Sequence, residues 1–118
     1  IGANPAGGTW DPDGDPDVFV SLYCPLAQTS ATAETAPVVD ALMPRWSATV
    51  NGTCVLKAKD LMKEGFGAAV FDDDGRPPVE AVSAKAAVRV SQQHFDVGYL
   101  RASGGTALPE IWFKLEKQ

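Results

Sequence analysis

The sequence predicts an all-β protein, an antiparallel Greek-key β-sandwich. Three observations carry that expectation. β-Branched and aromatic residues come in short runs of strand length, turns rich in Gly and Pro separate the runs, and helical patterning is almost absent. A length of 118 residues is enough for one domain with a single core, and a hydrophobic content of 45% fits a globular chain. No internal repeat and no linker divides it, so residues 1–118 read as one domain. The chain opens on Ile1 without a secretory leader, so Ile1 reads as a processing site or as the edge of a longer protein.

Taken in order, residues 1–16 are dense in Gly, Pro and Asp and read as irregular, with at most a strand end at residues 1–3. Residues 17–24, Asp-Val-Phe-Val-Ser-Leu-Tyr-Cys, are β-branched and aromatic and predict a largely buried strand. Residues 25–35 are small and polar and predict an exposed loop. Residues 36–42 fit an edge strand, where Pro37 is tolerated. Met43-Pro44-Arg45-Trp46 reads as a turn into a strand over residues 47–56, interrupted at Asn51-Gly52 by a bulge or a hairpin turn. Asn51-Gly52-Thr53 matches the N-glycosylation acceptor, a tripeptide that also arises by chance.

Residues 57–64 predict one or two helical turns, stopped by Gly65. Residues 66–71 form a short apolar strand that runs into Asp72-Asp73-Asp74. Residues 81–90 put Val82, Ala84, Ala86 and Val88 on one face at strand period, although their Ala and Lys content also suits a helix. Turn residues gather at Gly98 and again at Ser103-Gly104-Gly105, and residues 110–115 predict a closing strand.

Charge narrows the function. The net charge of -5 argues against a nucleic-acid surface, which needs clustered Lys and Arg, and it suits a cation as partner. No apolar run reaches the length of a membrane span. His94 is the sole histidine and has no nucleophile beside it in sequence, so no enzyme is expected and His94 reads as a surface or satisfied histidine. Cys24 and Cys54 are too few for a disulfide scaffold or a zinc site; one disulfide and two buried thiols remain equal alternatives.

Two acidic stretches stand out. Asp11, Asp13, Asp15 and Asp17 alternate with Pro and Gly immediately before a strand, and Asp72-Asp73-Asp74 with Glu80 follow another. Carboxylates packed this closely repel one another unless solvent or a cation separates them. Calcium takes about 6–8 oxygen ligands, more than one such loop supplies, but two loops at one end of a sandwich can. An EF-hand is excluded: if Asp11, Asp13 and Asp15 begin the loop, Pro16 falls where Gly is required and Leu22 where a bidentate Glu is required.

These spacings resemble the C2 domain, the calcium- and phospholipid-binding β-sandwich family. Asp11 and Asp17 have the separation of its first two aspartates, and Asp17-Val18-Phe19-Val20 stands where the family has Asp-Pro-Tyr-Val. Met43-Pro44-Arg45-Trp46 looks like its Asn-Pro-x-Trp, and Asp72, Asp74 and Glu80 match its Asp-x-Asp and third acidic position. The resemblance covers nearly the whole chain and implies a C2-like sandwich whose first strand is short or missing. It further implies Ca²⁺ as cofactor, held by Asp11, Asp17, Asp72, Asp74 and Glu80, whereas Asp13, Asp15 and Asp73 match no ligand position. Glu80 for Asp and Val18 for Pro depart from the family pattern.

The resemblance also raises anionic lipid as a partner. The tips of the two acidic loops carry no apolar residue that would insert, so a calcium-stabilised structural or binding module is expected ahead of a calcium-dependent phospholipid-binding domain. A third alternative is an adhesion or scaffold domain with solvated acidic loops. Arg76 could contact a phosphate or a protein partner, and Trp10 is the one tryptophan expected to be exposed beside the site; Trp46 and Trp112 lie in strand contexts and read as core. Weak calcium sites suit the millimolar calcium outside cells, so a secreted or cell-surface location is expected, with a cytoplasmic, membrane-peripheral one as alternative.

Overall fold

A computed structural model of the chain describes residues 1–4, 7–10, 15–46, 48–73, 80–105 and 107–116. Its elements, in order, are β1 (Val18–Tyr23), β2 (Ala33–Thr35), β3 (Thr49–Gly52), α1 (Ala58–Glu64), β4 (Phe66–Asp72), β5 (Glu80–Val88), α2 (Gln92–Val97), β6 (Tyr99–Ala102) and β7 (Ile111–Lys114). The protein is mostly β. Five strands form one antiparallel sheet in the order β3-β2-β1-β4-β5, and β6 pairs with β7 in a second. Among the described residues no helix is long and apolar enough to cross a membrane.

The centre of the large sheet is the pairing of β1 with β4, in register from Val18↔Asp72 to Tyr23↔Gly67. Alternation sorts the two faces. Val18 and Val20 pair with Asp72 and Val70 on the inner face, and Val18, Val20 and Val70 are buried in the core. On the outer face Phe19 stacks on Phe71 with ring centroids 5.5 Å apart. Further along that face the Lys85 ammonium lies 4.3 Å from the Tyr23 ring centroid and donates to the carbonyls of Leu26 and Gln28. Gly67 leaves room for this contact: a Cβ there would lie 2.7 Å from Lys85 Cε and 3.1 Å from Tyr23 Cβ, and would displace the lysine.

The small sheet turns Leu100, Ile111 and Phe113 toward the same core. Phe113 meets Phe66 of β4 edge to face at 5.0 Å. Cys24, just after β1, forms a disulfide with Cys54, just after β3, across a Cα–Cα distance of 5.5 Å. Of the two alternatives open from the sequence, the structure adopts the pair.

Several boundaries differ from expectation. The loop expected over residues 25–35 ends in β2, because threonine side chains take up main-chain donors of β1: the Val20 amide donates to Thr35 Oγ1 at 2.9 Å and the Cys24 amide to Thr32 Oγ1 at 3.0 Å. The edge strand expected over residues 36–42 reduces to one bridge, Val18↔Val38. Pro37 lacks an amide to donate, and Asp40 at φ 55 turns the chain out of the extended region. The strand of residues 47–56 shrinks to β3, which ends at Gly52 with φ 74. Residues 81–90 settle as β5, not as a helix, since β4 supplies the ladder. The helix of residues 57–64 forms as α1. Two elements had no counterpart in the sequence reading, α2 and β6. At α2 the Ser91 amide donates to His94 Nδ1 at 3.0 Å, so His94 is a satisfied histidine at a helix start.

Candidate metal centre

The β1–β4 register decides where the acidic segments meet. Because Val18 stands opposite Asp72, the residue entering β1 and the residue leaving β4 are neighbours. The Asp17 amide donates to Asp72 Oδ1 at 3.0 Å, and the Asp73 amide donates to the Asp17 carbonyl at 2.7 Å. Asp72 is fully buried, on the core face beside Val18. Burying a carboxylate is costly unless hydrogen bonds or opposite charge compensate it, and the Asp17 amide provides one such bond.

The Asp17 carboxylate is itself held. Its Oδ1 accepts from the Asp40 amide at 2.6 Å, and Asp40 Oδ1 accepts from the Asp15 amide at 2.6 Å. Asp15, Asp40, Asp17 and Asp72 thus form one hydrogen-bonded chain that joins three segments. Asp40 was not among the residues singled out in the sequence. Its one sequence signal is its type, since Asp tolerates the left-handed conformation that it adopts at φ 55.

Glu80 opens β5 directly opposite Asp72 and is exposed. Like charges directly opposite on paired strands destabilise a sheet unless something offsets them. Of the five expected ligands, then, Asp17, Asp72 and Glu80 fall at one end of the β1-β4-β5 sheet. Asp11, Asp74 and Arg76 lie outside the described residues. Among the described residues, no group of three or more His, Cys, Asp or Glu stands close enough to hold a metal ion. The donor types gathered here are carboxylates, which suit a hard cation such as Ca²⁺; a soft metal would want thiolates, and both cysteines are in the disulfide.

Two aromatic expectations are corrected. Trp10 is not exposed: it is buried at 7% and its indole Nε1 donates to the Gly2 carbonyl at 2.9 Å, because residues 1–4 fold back over it. A cavity of about 210 Å³ lies beside it, lined by Trp10, Asp15, Pro16 and Leu42 among others. Trp112, expected in the core, is 55% exposed, because alternation along β7 gives the inner face to Ile111 and Phe113. Trp46 does pack against the core and donates to the Val18 carbonyl at 3.2 Å.

The segment that carries Asp40 also carries apolar side chains in solvent: Val39 is 73% and Met43 89% exposed, with Leu42 at 43%. These residues are far in sequence from the tips of the acidic loops, where inserting residues are expected, and the bonds of Asp40 bring their segment beside Asp17. No protein-family model, curated protein or solved structure matches the chain.

Proposed function

We propose that the chain is a calcium-binding, C2-like β-sandwich module, secreted or displayed at the cell surface, in which residues 11–17 and 72–80 share a Ca²⁺ site. It acts by binding and not by catalysis. The ligands are Asp11, Asp17, Asp72, Asp74 and Glu80. The observation that carries this reading is the pair of hydrogen bonds between the two acidic segments, Asp17 amide to the Asp72 side-chain Oδ1 and Asp73 amide to the Asp17 carbonyl. A buried carboxylate with a second one opposite it in register is an arrangement that a divalent cation relieves. When bound, the ion supplies positive charge that offsets this repulsion. The chain contributes orientation: the Asp40 amide holds the Asp17 carboxylate, and the Asp17 amide holds that of Asp72. The disulfide supports an oxidising location.

Calorimetric titration with CaCl₂, with melting followed in parallel, tests the reading. Binding heat and a rise in Tm that EGTA reverses are expected, and the double variant Asp72→Asn/Asp74→Asn abolishes both. No heat and no shift at about 10 mM Ca²⁺ would sink it, since even weak extracellular sites are saturated there. That outcome favours the adhesion or scaffold domain with solvated loops.

One observation favours a second reading, calcium-dependent docking on phospholipid. Val39, Leu42 and Met43 form an exposed apolar edge beside the acidic segments, and residues of this kind enter the headgroup boundary of a bilayer. Cosedimentation with phosphatidylserine vesicles in Ca²⁺, lost in Leu42→Asp/Met43→Asp, is the expected result. Its absence at saturating Ca²⁺ removes this reading and leaves the first.

A further inference from the structure

The outer face of β6 and β7 carries two exposed aromatic rings. Tyr99 is 48% and Trp112 55% exposed, and their ring centroids lie 5.1 Å apart with planes tilted by 37°. They occupy diagonal positions of the β6–β7 ladder, where Tyr99 pairs with Lys114 and Arg101 with Trp112. The opposite face of this ladder is spent on the core through Leu100 and Phe113. A tyrosine and a tryptophan in contact in water are more informative than a singly exposed hydrophobic residue, because a contiguous aromatic patch is the kind of surface that marks an interaction site.

Trp112 is also held in place while exposed. Its indole Nε1 donates to Glu110 Oε1, and the Arg101 guanidinium lies 5.9 Å from the ring centroid. Arg101 and Glu110 are within 4.0 Å of one another, and Lys114 pairs with Glu116 at 3.0 Å. Orienting a ring before a ligand arrives removes part of the ordering cost of binding.

The charges around the rings select the ligand. Among the described residues Arg101 pairs with Glu110 and Lys114 with Glu116, so these two pairs bring donors and acceptors to the rim with their charges balanced. An anionic or cationic ligand gains nothing from such a rim. A proline-rich peptide would also stack on the rings, but proline offers carbonyl acceptors and no amide donor, so it would use Arg101 and add no donor to Glu110 beyond the contacts that carboxylate already makes with Trp112 and Arg101. A neutral sugar fits all parts: a pyranose presents a face of C–H groups to an aromatic ring, and its hydroxyls both donate and accept. We propose that the Tyr99–Trp112 face of the small sheet binds a neutral oligosaccharide, stacked on the two rings and hydrogen-bonded by Arg101 and Glu110. This surface is separate from the acidic residues of β1 and β4 and does not depend on them.

The test is a titration of Trp fluorescence and heat with neutral hexasaccharides: cellohexaose, laminarihexaose, mannohexaose, xylohexaose, maltohexaose and chitohexaose. Binding of at least one is expected, with a Kd below about 1 mM. Trp112→Ala and Tyr99→Ala are expected to weaken it by about tenfold or more each, the loss of one stacking surface, while Trp112→Phe keeps most of it. Both alanine variants should fold, since the residues are exposed, and retention of the wild-type melting curve checks this. Any of three results overturns the proposal: no hexasaccharide bound at about 5 mM, binding that survives both alanine changes, or a concentration-dependent dimer of the wild type that Trp112→Ala abolishes, which would make the face a self-interface. Loss of sugar binding with an intact calcium response, or the reverse, separates this proposal from that of the calcium site.

Discussion

The Asp17 amide donates to Asp72 Oδ1 at 3.0 Å across 55 residues of sequence, and with the bond from the Asp73 amide to the Asp17 carbonyl it ties the two acidic stretches of the chain together. Asp72 accepts it while fully buried. Carboxylate and amide therefore depend on each other: the amide is partly buried too, and removing the acceptor leaves it in the protein without its partner.

Asp72→Ala should accordingly destabilise the fold by about 1–3 kcal/mol, the penalty for orphaning a buried donor. Asp72→Asn keeps the Oδ1 acceptor in the same place and should cost less than half as much in EGTA, while still removing the charge needed for calcium. Urea unfolding of the two variants checks the order. Equal losses for Ala and Asn would mean that charge, not the hydrogen bond, carries the contribution of Asp72.

Asp40 acts through Asp17 and Asp15. Asp40→Asn retains an acceptor for the Asp15 amide and tolerates φ 55, so it should be nearly neutral. Asp40→Ala loses the acceptor and places a Cβ-bearing residue without a helpful side chain in the left-handed region, at a cost of roughly 1–2 kcal/mol. If the calcium proposal holds, the same Ala variant weakens calcium binding although Asp40 is not a proposed ligand. Calorimetry on Asp40→Ala, compared with Asp40→Asn, reads both effects.

Reduction of the disulfide should be measurable as stability. Cys24 and Cys54 close a loop with a sequence separation of 30, for which the chain-entropy relation gives about 3–4 kcal/mol. The double variant Cys24→Ser/Cys54→Ser should shift the urea midpoint by a corresponding amount, and dithiothreitol should have little further effect on it. An unchanged midpoint would contradict the bond.

Gly52 is the position of least tolerance in the β2–β3 pair. A Cβ there would lie 1.9 Å from the Thr32 carbonyl oxygen, and φ is +74. Gly52→Ala should cost at least about 1–2 kcal/mol from the left-handed conformation alone and should loosen β3 from β2. Faster amide exchange at Ala33 and Asn51, with β4 unchanged, is the expected signature.

Sequence alone determined a β-rich chain, the strands at its centre and the short helix before Gly65, because those features are local: β-branched alternation, turn residues and a helix stop act within a few residues of themselves. It also marked Asp17, Asp72 and Glu80, since dense carboxylates stand out by composition, but it did not show that Asp72 is buried on the core face. What lay beyond it were contacts between segments distant along the chain. Residues 33–35 became β2 by pairing with β1, where threonine hydroxyls reach the amides of Val20 and of Cys24 just after the strand. Residues 36–42 lost their strand to the left-handed turn at Asp40, whose purpose is visible only with Asp17 beside it. Tryptophan was misjudged in both directions, Trp10 inside and Trp112 outside, because ring burial depends on which neighbour covers the ring and not on the residue type. The tertiary structure decided that the second strand of acidic residues meets the first. The physical reason is register: with Val18 set opposite Asp72, the end of β4 lies beside the start of β1.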